Sequence, residues 1–294
     1  MKICRAFTLI ELVVVVAVLS ILAALLLPAL AGAKADTARA ICQSNLRQLG
    51  IGMRLFEQDH DEMFPPAAVV GSVGQISWDG YIHRYIGGTA SDAELSSGYL
   101  PDSDTPRMVI CPADPDRTIN WASYIGAGRR TYAMVGNWQY LQASIYIYSS
   151  NMAYDLSLGT QLGVGVYWSD STVSVSWDAK SFKTSVVTDP AGTILLVEQS
   201  ENMNIAANEW PCVSLGVIDA QHGGMLGQID PAASLPDQGA SQYVNMGKIL
   251  YRNHGYRFNY LMHDGHVQAL TTNATIGAGT LLAPKGMWTV MAGD

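Results

Sequence analysis

The chain has 294 residues, 49% hydrophobic and 14% charged, which is enough apolar material for one large domain or two small ones. Its formal net charge of -8 excludes nucleic-acid binding through a basic face, because neutralising phosphates takes clustered Lys and Arg. Four cysteines, none in a C-x-x-C pair, exclude a disulfide-dense scaffold and give no structural-zinc spacing.

Lys2 and Arg5 precede an apolar run in which, from Leu12 to Leu30, only Ser20 and Pro28 interrupt. About 20 such residues match a hydrocarbon core of about 30 Å. A cleaved secretory signal has a shorter apolar core followed by small residues. The stretch "LPALAGAKA" offers small residues, but Glu11 at the head of the run opposes that route. A carboxylate within the bilayer costs a few kcal/mol and is kept for function. A cation at the same depth in a neighbouring copy would recover the cost. If the chain were cut before Phe7, its new α-amino group would be that cation.

The segment "RAFTLIELVVVVAVLSILAALLLPAL" resembles the class III signal of type IV pilins and type II secretion pseudopilins. The resemblance implies that a prepilin peptidase removes the leader 1–6 between Ala6 and Phe7, and that the new terminus is then methylated. It implies that Glu11 meets the Phe7 amine of the adjacent subunit and that Pro28 loosens the helix. The family's usual Gly before the cut is Ala6 here. Further implied are self-assembly into a helical filament on an inner-membrane assembly platform, and a single pass through the inner (cytoplasmic) membrane. The N-terminus would be cytoplasmic before processing and the head periplasmic or extracellular.

After Pro28, apolar or small residues fall at Ala35, Ala38, Cys42, Leu46, Leu49, Met53 and Phe56. That spacing of threes and fours makes one stripe on an amphipathic helix, with Lys34, Arg39, Arg47 and Arg54 largely off it. Pro65-Pro66 closes the helical possibility. The spacing predicts one transmembrane and amphipathic helix over 7–60, about 75 Å long; a hinge at Gly32 is the alternative.

The head, 61–294, contains the strand-like pieces "RMVICP", "QASIYIYS", "GVGVYWS", "STVSVSW", "TSVVT", "TILLVEQS", "KILYR" and "YRFNYLMHDGHVQALT". Short strands between Gly, Asp, Asn and Pro turns predict an antiparallel sheet. A Tyr-, Ser-, Gly- and Trp-rich stretch over about 137–180 reads as inserted hairpins. The fold expected is α+β, a pilin-like long N-terminal helix packed on an antiparallel β-sheet head.

Near the C-terminus, Asp264-Gly265 between two alternating runs predicts a hairpin with a type I′ turn. His254, Asp264 and Gly265 form an H-x9-D-G pattern that resembles the C-terminal processing-associated signature of a large pilin-like subfamily. "ICPADP" and "SNLRQLG" are also similar to that subfamily's sequences. Structural roles are expected for both ends of the pattern: Asp264 for the turn and His254 for a loop hydrogen bond. In a straight strand the two would stand about 30 Å apart.

Other chemistry is thinly supported. His222, His254, His263 and His266 show no H-E-x-x-H spacing, and no Ser sits in G-x-S-x-G, so no catalytic residue is assigned. "GAGRR" lacks the strand and helix of a phosphate loop and reads as a turn. Asp114 and Asp116, or the acids of "EQDHDE", are candidate Ca²⁺ ligands, weighed against solvated acidic turns; no other cofactor is expected. Cys42 and Cys111 lie in the stretches that carry the subfamily resemblance, and form either a disulfide tying rod to head or two buried thiols, with Cys212 left over. The function expected is a non-enzymatic filament subunit. The alternative is an exported surface module whose Trp138, Tyr146, Tyr148, Trp168 and Trp177 contact a glycan or other polymer, unless those rings are sheet core.

Overall fold

The computed structural model describes residues 8–114, 122, 124–136, 163–169, 177, 181–200, 204–208, 213–214, 246–280, 285–291 and 293. Helix α1 (Leu9–Asp59) is a single 51-residue rod that runs unbroken through positions 28 and 32, so there is no hinge at Gly32. Residues 9–27 are all exposed, and the segment is long and apolar enough to cross a membrane. The upper half is different. Cys42, Leu46, Leu49, Met53 and Phe56 are buried in the main core, while Lys34 and Arg47 are exposed. The stripe thus finds the apolar cover that an amphipathic helix requires. Past the rod the backbone turns through Asp61 (φ 50°) and Glu62 (φ 59°), left-handed conformations that no helix continues.

The head carries β1 (Ala68–Val70), β2 (Gln75–Ser77), α2 (Trp78–Tyr81), α3 (Asp92–Leu95), β3 (Tyr132–Val135), β4 (Tyr167–Ser169), β5 (Ile194–Glu198), β6 (Val213–Ser214), α4 (Met246–Asn253), β7 (Phe258–Met262) and β8 (Val267–Leu270). These strands form a three-stranded sheet, β2-β1-β4, and a five-stranded sheet, β6-β3-β5-β7-β8. Most pairings are antiparallel, but β1–β4 and β3–β6 run parallel. Strands β3, β5 and β7 are buried along their whole length. They therefore read as continuous apolar runs and not as alternation. Helix α1 lies across β7 and β8. Two helix glycines permit close approaches: a Cβ at Gly50 would meet Leu261 of β7 at 3.0 Å, and one at Gly52 would meet Ile86 of the 83–86 turn at 2.5 Å.

Several expected strands are something else. "KILYR" belongs to α4, where Leu250 and Tyr251 share one buried face at helical spacing with His254 just past its end. Within "RMVICP" and "TSVVT", Arg107–Val109 and Thr184–Val186 are short 3-10 turns. "QASIYIYS" lies outside the described residues. Of the 137–180 stretch, β4 is described, and it joins β1 in the smaller sheet.

Candidate functional site

At the foot of the rod, Glu11 caps its own helix. Its Oε2 accepts from the Thr8 backbone N–H at 2.9 Å and from Thr8 Oγ1 at 2.7 Å, while Thr8 Oγ1 accepts from the Glu11 N–H at 3.3 Å. This reciprocal capping box satisfies N–H groups that every helix start leaves open. The T-L-I-E spacing therefore has a local use in the monomer besides the contact that the pilin resemblance implies. Ala6 and Phe7 lie outside the described residues.

Higher on the rod, α1 and the head are joined covalently: Cys42 of α1 and Cys111 form a disulfide, with their Cα atoms 5.1 Å apart and a sequence separation of 69. Closing a loop of that size restricts the unfolded chain by about 4 kcal/mol in the chain-entropy account. Polar contacts surround it. Asn45 Nδ2 donates to the Ile110 carbonyl at 3.0 Å, and Gln43 Nε2 to Asn259 Oδ1 at 3.1 Å.

His254 stands in this junction, placed there by a helix stop. Gly255 takes φ 69° and its N–H donates to the Arg252 carbonyl, while the Tyr256 N–H reaches back to the Tyr251 carbonyl at 2.9 Å. Those paired bonds are a Schellman ending, and the usual apolar contact across it is the Tyr251–Tyr256 ring pair, 6.0 Å between centroids. His254 thereby becomes the last residue of the turn, with its carbonyl receiving Arg39 Nη1 from the rod at 3.2 Å. Its ring is fully enclosed: Nδ1 is 3.0 Å from Glu198 Oε2, and Nε2 is 3.4 Å from Cys111 Sγ. Glu198, at the end of β5, also accepts from the Asn259 backbone N–H (2.7 Å) and Nδ2 (2.9 Å) on the neighbouring strand β7. Glu198 and Asn259 were not singled out from the sequence. The available signal was an acid closing the apolar run "ILLVE" and an amide inside "FNYLM".

The structure does not bring His254 and Asp264 together, since they flank opposite ends of β7. The hairpin is present, with Leu261 facing Val267, but its turn is not type I′. Among its residues only Gly265 has positive φ, 93°, and the Gly265 N–H closes on the Met262 carbonyl at 2.9 Å. The connection is thus the three-residue kind with a left-handed Gly. Asp264 Oδ1 holds the His266 N–H at 3.0 Å and its ring Nδ1 at 2.6 Å. Modest burial would raise the Asp264 carboxyl, but the His266 bonds and charge, with Arg54, bring it below its ordinary value. His263 is buried, and neither ring nitrogen has a hydrogen-bond partner among the described residues. Among the described residues, His254 therefore does not converge with His263 and His266.

Asp114 is enclosed and hydrogen-bonded within the head. Its carboxylate takes Arg129 Nη2 at 3.1 Å, Thr131 Oγ1 at 2.7 Å and the Ser200 hydroxyl, with its side chain 1% exposed. Thr131 Oγ1 in turn accepts from the Cys111 N–H at 3.0 Å, so Asp114 braces the junction from the head side. Asp116, His222 and Cys212 lie outside the described residues. Among the aromatic candidates, Trp168 is buried and Trp177 is half-buried against Tyr81, 5.5 Å between centroids. Trp168 thus offers no open stacking face, Trp177 lines a cavity with Phe56, His60, Tyr81 and Tyr85, and Trp138, Tyr146 and Tyr148 lie outside the described residues.

No curated protein and no solved structure matches this chain. Residues 1–27 match the prokaryotic N-terminal methylation motif; the foot of the rod is therefore of the prepilin type found in type IV pilin-like proteins.

Proposed function

We propose that this protein is a structural subunit of a type IV pilus-like or type II secretion pseudopilus filament. A prepilin peptidase removes 1–6, Phe7 becomes the methylated terminus, and the rod holds the monomer in the inner membrane with its head on the far side. One observation carries this reading: the methylation motif occupies the fully exposed apolar half of a helix whose other half is bolted into a head. Such a rod has two possible covers for its lower half, lipid or the same half of other copies. Small and β-branched residues along 12–24 suit close helix packing. In the stack, Glu11 exchanges its Thr8 cap for the amine of a neighbour, which fixes axial register.

Mass spectrometry of the native protein should give a chain starting at methylated Phe7; a start near Ala33 or Ala35 points to ordinary export. Glu11→Leu should still be inserted and processed, yet assemble at least about tenfold less, the equivalent of about 1.4 kcal/mol per contact. Because that change also removes the cap, Thr8→Val is the control. It loses about 0.5–2 kcal/mol of helix start and should still assemble. Equal assembly by Glu11→Leu and the parent would rule out the charge contact.

A further inference from the structure

One donor atom from each of Cys42, Cys111, Glu198 and His254 lies within 4.8 Å of the other three, and all four residues are buried. Glu198 already accepts two hydrogen bonds from Asn259. His254 Nδ1 lies 3.0 Å from Glu198 Oε2 and 3.1 Å from Asn259 Nδ2, whose shorter bond goes to Glu198 Oε1; the carboxylate can only accept, which places the ring proton on Nδ1. That tautomer turns the Nε2 lone pair onto Cys111 Sγ, 3.4 Å away. A disulfide sulfur has no proton to offer, so a fully buried acceptor faces a group that cannot satisfy it. A lone-pair nitrogen beside two sulfurs, its other nitrogen held by a carboxylate, is the ligand arrangement of zinc. With Zn–S near 2.3 Å and Zn–N near 2.0–2.1 Å, tetrahedral geometry separates sulfur from nitrogen by about 3.5 Å, close to the separation seen here.

We infer that this junction binds Zn²⁺ when its cysteines are reduced, through Cys42 Sγ, Cys111 Sγ and His254 Nε2, with Glu198 orienting the ring and water in the fourth position. A dithiol supplies two electrons and two protons to the Cys42–Cys111 bond and is itself oxidised to a disulfide. The two thiols then release two protons as the ion binds, and two thiolates cancel its charge inside the core. Either state, disulfide or zinc, ties rod to head and closes the same loop. The inference does not depend on the filament reading.

The test uses the full chain in mild detergent, in a Cys4→Ser/Cys212→Ser background, reduced with a dithiol that is then removed without air. Cobalt(II) serves as the spectroscopic probe. One equivalent should produce thiolate-to-cobalt charge transfer with tetrahedral d–d bands, and zinc should displace it. The oxidised protein should give neither signal, Cys42→Ser should lose the tetrahedral spectrum, and Glu198→Gln should bind about 10–100-fold more weakly. The inference is overturned by a reduced protein that keeps its near-UV circular dichroism yet takes no cobalt, or takes it octahedrally. Reduction that unfolds the head with no recovery on adding equimolar zinc also overturns it, as does unchanged affinity in Glu198→Gln.

Discussion

Arg130→Met should destabilise the head by about 3–5 kcal/mol, the usual cost of stripping one partner from a buried ion pair. Arg130 is 0% exposed and Asp79 is 3% exposed. The guanidinium donates from Nη1 to Asp79 Oδ1 and to Ser77 Oγ (2.8 Å), from Nε to Asn204 Oδ1 (2.8 Å) and from Nη2 to the Asn208 carbonyl (3.1 Å). Asp79 Oδ2 accepts from the Ala207 N–H at 2.8 Å. The Trp78 ring lies under the cation, 5.6 Å from centroid to Cζ. Each guanidinium nitrogen thus finds an acceptor, and the acceptors come from two segments, 77–79 and 204–208, which locks β2, α2 and the 204–208 loop to the start of β3. Methionine fills the volume but strands the Asp79 carboxylate in the core. Asp79→Leu in the same chain removes the stranded charge, so the double variant should recover much of the loss. Denaturant titration of the four proteins, followed by tryptophan fluorescence, reads the coupling. Additive single effects would show that the pair is not coupled.

Acid should act on this protein through His263. Burial, with the nearby Arg54 charge, pushes its imidazole from 6.5 down to about 3, against a smaller opposing pull from Asp264. The ring packs edge-on to Phe64, 5.0 Å between centroids. Above pH 6.5 the group is neutral whether the chain is folded or not, and the stability tied to it is fully present. Below 6.5 the unfolded chain takes up a proton that the folded one refuses, so stability falls with pH at about 1.4 kcal/mol per unit down to about pH 3. The full loss is roughly 5 kcal/mol. His83, also lowered by burial, adds to the slope, while Glu57, raised by burial against its Arg54 pair, opposes it. The comparison that isolates His263 is therefore His263→Phe, which keeps the ring contact. At neutral pH its stability should equal or exceed the parent's, since two unpartnered nitrogens are gone. By pH 4 the variant should be ahead by about 3 kcal/mol. Parallel stability–pH curves for the two proteins would remove His263 as the cause.

Neither of these sites was visible in one dimension. Arg130 sat in "GAGRR", read as a turn, and His263 stood beside the Asp264-Gly265 turn with only its lack of H-E-x-x-H spacing noted. In both places the local sequence states the backbone geometry correctly in kind and says nothing about what folds over it. The same limit explains α4. "KILYR" is apolar enough for a strand, and only the enclosure of Leu250 and Tyr251 on one face selects the helix. Short apolar runs carry no period long enough to decide.

What the sequence determined by itself is the rod: its apolar lower half, its stripe from Cys42 to Phe56 and its stop before Pro65-Pro66. Those features are written in spacings within a turn or two of helix, where contact order is low and neighbours in sequence are neighbours in space. Beyond the Cys42–Cys111 bond, which stood among the sequence expectations beside two buried thiols, the junction belongs to the tertiary structure. Cys42, Cys111, Glu198, His254 and Asn259 come from separate stretches of the chain, and their convergence depends on strand register, one glycine-stopped helix and the seating of the rod across β7. No spacing rule reaches over such distances, because loop closure and core packing, not local propensity, decide which segments meet.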